Sequence, residues 1–202
     1  MLSLCRFIRD RRMYSSQDGS VSIYENDGSI GRLRILSGQA MPIHRLNQAK
    51  TGGGTEKDSE IMKVVFDTNV VLNAAMGRPG HEKAQELIQA VISGEISGIV
   101  TANSLTDIHF IVRKRAGEEK ARIVIYNVLS LFDIAPVDGD VCLTALSTPM
   151  NDYEDAVLAV CAAKEDADYI ATNDKGFISV KGSPVLALRP ADVLNAIRAD
   201  GE

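Results

Sequence analysis

No stretch of this 202-residue chain approaches the run of about eighteen uninterrupted apolar residues that a membrane span needs. A transmembrane anchor is therefore not expected. Cysteine is scarce: Cys5, Cys142 and Cys161 are odd in number, scattered and without metal-ligand spacing. They point to a reducing, cytoplasmic setting and away from a zinc site. His44, His81 and His109 show no metal-ligand spacing either, and His109 reads as a helix-face residue rather than a general base. Thr51-Gly52-Gly53-Gly54-Thr55-Glu56-Lys57 lacks the Gly-Lys-Ser/Thr end of a phosphate-cradling loop, so it reads as linker. An excess of basic charge is missing too. Residues 1–61 carry nine Lys and Arg against seven Asp and Glu, so residues 62–202 carry 13 against 20, a net of −7. A body of that sign does not hold nucleic acid by charge alone.

What is present divides in two. An apolar content of 45% with 24% charged residues suits one soluble globular domain plus an appendage. The first 61 residues lack sustained periodicity and are rich in Ser, Gly, Asn and Gln, so they read as a poorly ordered N-terminal extension and linker. Within them a weak strand pair is expected at Val21–Tyr24 and Arg32–Leu36, across Asn26-Asp27-Gly28. Met1–Arg12, with Arg6, Arg9, Arg11 and Arg12 among apolar residues, has the look of a targeting peptide or a basic arm. Met62, directly before the first core strand, reads as the natural start of the domain.

From residue 62 to 202 the pattern becomes regular. Short β-branched runs at Val64–Phe66, Gly98–Thr101, Ile134–Val137, Tyr169–Thr172 and Val185–Leu188 alternate with amphipathic helical stretches. That rhythm predicts an α/β fold with a parallel sheet covered on both faces. Glu82–Ile92 forms one helix and stops at Gly94. Ser104 with Asp107 gives a capping-box-like start to a second, Gly117–Leu131 forms a third, Asp152–Lys164 a fourth, and Pro190 opens the last.

Four aspartates fall at the strand ends and helix starts of this pattern. Asp67 ends the run Lys63-Val64-Val65-Phe66, and Asp107 lies in the first turn of Ser104-Leu105-Thr106-Asp107. Asp155 opens the helix after Asp152-Tyr153-Glu154, and Asp174 follows Thr172-Asn173. Such positions converge above the carboxyl edge of a parallel sheet, where open α/β folds keep their sites. Converged carboxylates repel one another unless a hard divalent cation lies between them.

Each acid also has an ordinary structural use. Asp67 can make an Asx-turn or cap a helix, Asp107 and Asp155 suit first helical turns, and Asp174 suits a turn. The argument for chemistry is the group, supported by Asn69 and Thr172 as neighbouring oxygen groups and by Asp152, with Glu154, as solvated or outer-shell helpers. Arg113-Lys114-Arg115 suits a helix C-terminus as well as it suits a phosphate contact.

Val64-Val65-Phe66-Asp67-Thr68-Asn69, Ser104-Leu105-Thr106-Asp107, Asp152-Tyr153-Glu154-Asp155-Ala156-Val157 and Ala171-Thr172-Asn173-Asp174-Lys175-Gly176-Phe177 resemble, in order and spacing, the successive motifs of PIN-domain ribonucleases, including the VapC-like toxins of toxin–antitoxin systems. The resemblance covers Met62 to about Ala199. It implies a three-layer α/β sandwich with a five-stranded parallel sheet of order 3-2-1-4-5, and a pocket binding Mg²⁺ or Mn²⁺. The family's acids fall on Asp67, Asp107, Asp155 and Asp174 and its Asn on Asn69; Asp107 stands where Glu is common, one methylene shorter.

The implied activity is metal-assisted hydrolysis of RNA phosphodiester bonds, with Asp67, Asp155 and Asp174 on the metal and Asp107 binding it or orienting water. The implied partners are an RNA substrate and a cognate antitoxin protein; separately, the apolar helix residues Ile123, Tyr126 and Val128 suit either a homodimer surface or the core. One alternative is a catalytically degenerate PIN-like module that only binds RNA or a protein partner. Another, a haloacid-dehalogenase-type phosphatase, wants a second Asp two residues after the first, where this chain has Asn69.

Overall fold

A computed structural model of the chain describes residues 13–15, 21–24, 30–33 and 61–200. The basic segment Met1–Arg12, the linker 51–57, Cys5 and His44 lie outside the described residues. The chain divides into two compact units, Met1–Asp58 and Ser59–Glu202. In the first, strands β1 (Met13–Ser15), β2 (Val21–Tyr24) and β3 (Ile30–Leu33) pair antiparallel in that order. The expected strand pair is present with its second strand described over Ile30–Leu33, residues 34–36 of the expected Arg32–Leu36 lie outside the described residues, and β1 adds a third strand.

The second unit is built on Lys63–Phe66 (β4), whose Val64, Val65 and Phe66 are fully buried. A strand apolar at consecutive positions suits a sheet covered on both faces. β4 lies between β5 (Ser97–Thr101) and β7 (Tyr169–Ala171), with β6 (Asp133–Ala135) and β8 (Leu186–Leu188) at the edges. All four pairings are parallel, so in order of appearance the strands of this sheet run 3-2-1-4-5, as expected.

Eight helices connect and cover the strands: α1 (Thr68–Met76), α2 (His81–Ser93), α3 (Ala102–Ala116), α4 (Glu118–Leu131), α5 (Gly139–Ser147), α6 (Tyr153–Lys164), α7 (Lys175–Ser179) and α8 (Pro190–Asp200). Strand alternation sorts the core into two layers. Val65, Ile99, Ala135, Ile170 and Ala187 meet the buried stretch Ala156–Ala162 of α6 and Val141 and Ala145 of α5. On the other face Phe66 packs edge-on against Phe132, with ring centroids 5.0 Å apart. There a Cβ on Gly98 would come within 2.8 Å of both Phe132 and Val91, so only glycine lets α2 lie this close to β5. Burying side chains of this size contributes about 1.5–3 kcal/mol each, which makes the sheet a firm base for its edge.

Several expectations need correction. The first expected strand end to move is that of β6, which stops at Ala135 rather than Val137, because Pro136 has no N–H to give the ladder. Helix α3 begins at Ala102, not Ser104. Thr101 is its N-cap, taking the Ser104 N–H on Oγ1 at 3.2 Å, so no Ser104–Asp107 capping box forms and Asp107 falls in the second turn. Helices α1 and α5 arise where no helix was assigned, and α7 where a turn was expected. Of the surface expected around α4, Ile123 is exposed but Val128 is core. No helix among the described residues is long and apolar enough to cross a membrane.

Candidate active site

Asp67 leaves the central strand in extended conformation, its N–H bonded to the Ala171 carbonyl of β7 at 3.0 Å, and becomes the N-cap of α1. Its Oδ1 accepts the Asn69 N–H at 3.3 Å. Its Oδ2 accepts the Thr172 hydroxyl at 2.6 Å and a close bond from the Asn69 Nδ2. Thr172 is fully buried, and its Oγ1 in turn accepts the Asp174 N–H at 3.0 Å and the Asn69 Nδ2 at 3.3 Å. Asn69 completes the ring by accepting the Asn173 N–H on Oδ1 at 3.0 Å. Asn69 and Thr172, expected as helpers, thus lock the ends of β4 and β7 to each other and hold the Asp67 carboxylate in place.

Asp174 caps α7: its Oδ1 takes the Gly176 and Phe177 N–H groups at 2.6 and 3.2 Å. A Cβ on Gly176 would sit 2.9 Å from that oxygen, which explains the glycine. Asp152 does the same for α6, accepting from the Glu154 and Asp155 N–H groups at 2.9 and 3.2 Å. Asp155 then lies half-buried in the first turn of α6, and Asp107 half-buried on α3.

These carboxylates act on one another. Burial, helped by the charges of Asp152, Asp67, Asp174 and Glu154, pushes the Asp155 carboxyl up to about 7. Burial also raises Asp67, and the Asp174 charge adds to this, against the lowering effect of the Thr172 hydroxyl and the Asn69 N–H. Glu154 is raised by desolvation, then by Asp107, Asp67 and Asp152. The structure therefore brings Asp67, Asp155 and Asp174 into one field and connects Asp107 to it through Glu154.

Glu154, expected with Asp152 as a solvated or outer-shell group, crowds one helical turn with Asp152 and Asp155, whereas Asn173 is the member that the sequence analysis passed over. His109 instead meets Glu118 at 3.4 Å, on the helix surface as expected.

Among the described residues, no three His, Cys, Asp or Glu side chains close into a ready ligand set. The donor chemistry nevertheless fits a hard divalent cation. The groups are oxygen-only, they carry mutual repulsion that a cation would relieve, and the three bonds that fix Asp67 leave a lone pair on its Oδ1.

No curated protein matches the chain by sequence. By structure it is similar to VapBC2 from Rickettsia felis, bound to a DNA fragment from the promoter, at 17% identity and TM-score 0.50, covering 63% of this chain and 98% of that one. DNA-bound VapBC from Salmonella typhimurium follows at 15% identity and TM-score 0.49, covering 64% and 99%. VapC20 from Mycobacterium tuberculosis, a sarcin-ricin loop cleaving toxin, follows at 15% identity and TM-score 0.47, covering 56% and 92%. At such identities the Rickettsia likeness speaks for the fold alone. The family comparison goes further: residues 63–176 match the PIN domain, a span that runs from β4 into α7 and includes all four aspartates. This chain belongs to the PIN-domain family.

Proposed function

We propose that this protein is a Mg²⁺- or Mn²⁺-dependent endoribonuclease, acting as the toxin of a type II toxin–antitoxin pair. The observation that carries this reading is the mutual charge coupling of Asp67, Asp155 and Asp174 at the carboxyl edge of a PIN-type sheet. Clustered carboxylates without a cation would repel a phosphodiester, so dependence on metal follows from the same arrangement. The toxin setting is supported by the Rickettsia felis neighbour, a VapBC pair on promoter DNA.

Asp67, Asp155 and Asp174 would hold the ion. A divalent cation bound there supplies positive charge against the phosphate and a more acidic water as nucleophile. The chain's own groups do the rest. Asn69 and Thr172 fix the Asp67 carboxylate through three bonds and keep it from rotating toward solvent. Asp174 is held through its Oδ1 by the start of α7, which leaves Oδ2 as its donor. Asp107, coupled to Glu154, orients the attacking water, and Asp152 holds the first turn of α6 so that Asp155 keeps its place.

The test is cleavage of RNA by the full chain with and without Mg²⁺, alongside Asp67→Asn and Asp155→Asn. Loss of Mg²⁺-dependent cleavage in both variants is expected, and undiminished cleavage in both would remove the assigned site. Growth arrest on expression, relieved by co-expressing the neighbouring reading frame, would test the toxin role separately.

A further inference from the structure

The basic run Arg113-Lys114-Arg115 ends α3, where its charges suit the helix dipole, yet its members have different surroundings. Glu118 takes up Arg113 at 3.2 Å and Arg122 at 2.8 Å, so these two find their counter-charge within the α3–α4 turn. Arg115 is exposed and makes no ion pair among the described residues. Its charged neighbour is another cation, Arg78. Helices α1 and α3 leave the carboxyl ends of the adjacent strands β4 and β5, capped by Asp67 and Thr101, and pack against each other. Arg78 lies just past the end of α1 and Arg115 in the last turn of α3, so the far ends of two packed helices each carry a guanidinium.

The turn between α1 and α2 is built around Arg78. Gly77 and Gly80 flank Arg78-Pro79 with φ of 62° and 82°, a left-handed conformation that glycine adopts without strain. The Arg78 N–H donates to the Asn73 carbonyl at 3.2 Å, and the Arg78 carbonyl takes the His81 N–H at 2.9 Å, with the His81 Nδ1 3.0 Å away. The backbone under this side chain is therefore fixed. Its guanidinium is not served in the same way: Nε is buried without a hydrogen-bond partner, alone in this among the side-chain N and O atoms of the described residues. A buried donor left unpaired is destabilising, and a second guanidinium adds repulsion. Burial first, and the Arg115 charge second, hold Arg78 below its ordinary pKa.

An anion between the two groups would remove both costs. A carboxylate offers two oxygens in one plane and suits one fork, whereas a phosphate group presents oxygens to two forks at once. Helix α2 begins at His81 with no side-chain cap, so its first-turn N–H groups add positive character beside Arg78. The rest of the unit is acidic, with a net charge of −7 over residues 62–202. Attraction for an anion is therefore local to this corner.

We propose that Arg78 and Arg115 form a phosphate-binding site where α1, α2 and α3 meet, separate from the carboxylate centre. The nine residues of α1 put about 14 Å between this site and Asp67. A strand with one phosphate at the carboxylates would reach the arginines with another; that use of the site rests on the nuclease reading above, whereas the site itself does not.

The test uses the full chain with a chelator present, so that an RNA probe stays intact. A short fluorescent oligouridylate is titrated at several salt concentrations, and inorganic phosphate is added in thermal unfolding. The proteins are the wild type, Arg78→Gln, Arg115→Gln, the double variant, and Lys114→Gln as the control for an exposed charge on the same turn. Arg115 is exposed and unpaired, so Arg115→Gln leaves the fold intact whatever Arg78→Gln does. Each arginine variant should bind the oligonucleotide about tenfold more weakly, with a salt slope shallower by about 0.7. The double variant should lose less than the product of the two single losses, because both forks grip one phosphate. Lys114→Gln should stay within about twofold of the wild type. Inorganic phosphate should raise the melting temperature of the wild type and Lys114→Gln but not of the arginine variants.

Oligonucleotide affinity that depends on both arginines assigns the site to a strand's phosphate, and an arginine dependence confined to inorganic phosphate assigns it to a free phosphate group. Equal losses in all three single variants, or no arginine dependence with either probe, would overturn the proposal. If the arginine dependence holds but the wild type cleaves no RNA with Mg²⁺, the nuclease reading fails and the site stands. Cleavage with arginine-independent binding of both probes would remove only the site.

Discussion

Replacing Asp155 by Asn should make the metal-free protein more stable while abolishing the activity proposed above. Burial and four neighbouring carboxylates raise the Asp155 carboxyl from its ordinary 3.8 to about 7. A carboxyl raised by the fold favours the folded state in its protonated form. Its contribution is therefore complete below its unfolded value of 3.8, falls as the pH climbs, and is lost above about 7. A shift of about three units corresponds to about 4 kcal/mol. Because Asp155 is only half-buried, solvent screening reduces this by roughly half, to about 2 kcal/mol. Asn has similar shape and no charge, so its stability does not carry this loss.

The assay is thermal unfolding followed by circular dichroism, with a chelator present, in steps from pH 4 to 9. Wild type and Asp155→Asn should nearly coincide at the acid end and separate above neutrality. At pH 8 the variant should melt about 4–8 °C higher. Adding Mg²⁺ should then raise the wild type and leave the variant where it was, because only the wild type keeps all three proposed metal ligands. A variant that melts at or below the wild type at pH 8, or a gain that is constant across the pH range, would refute the idea that buried like charges strain this site.

Thr172→Val should cost about 1–3 kcal/mol in denaturant unfolding, since the buried hydroxyl serves both Asp67 and the Asp174 N–H. RNA cleavage should fall about 10- to 100-fold, and an unchanged rate would refute its positioning role. Asp152→Ser should keep the cap on α6 but remove the charge, lowering the Asp155 pKa. Carbon-detected NMR of the carboxyl would read this, and an unmoved titration would show that the Asp152 charge is not felt. Gly98→Ala should destabilise by about 1–3 kcal/mol, because the new methyl meets Phe132 and Val91 at 2.8 Å; a melting temperature equal to wild type would show that α2 can yield.

The strands of the sheet were legible because each falls in a short apolar run set between helical stretches, and the order of the acids exposed the family. The helix boundaries were less so. Ser104 and Asp107 have capping-box spacing, but Thr101 lies closer to the strand end and its hydroxyl takes the Ser104 N–H first, so the helix begins earlier. Helix α5 was hidden because its Leu143 and Leu146 face outward while Val141 and Ala145 face in, which blurs any amphipathic period. At the site, positions were readable but wiring was not. That Asn69 binds both Asp67 and Asn173 depends on a pairing across 104 residues, and that Glu154 senses Asp107 depends on how α3 and α6 face each other.

The Thr172 hydroxyl bonds to Asp67 across 105 residues of chain, between the first and fourth strands of the sheet. On a ribosome, which delivers the N-terminal end first, β4, β5 and β6 emerge well before β7. Until Thr172 and Asp174 have left the exit tunnel, Asp67 has only the local bonds from Asn69 and lacks both the Thr172 hydroxyl and its companion carboxylate. Incomplete chains therefore carry no assembled centre, and the activity proposed above is absent from a chain for as long as it is being translated.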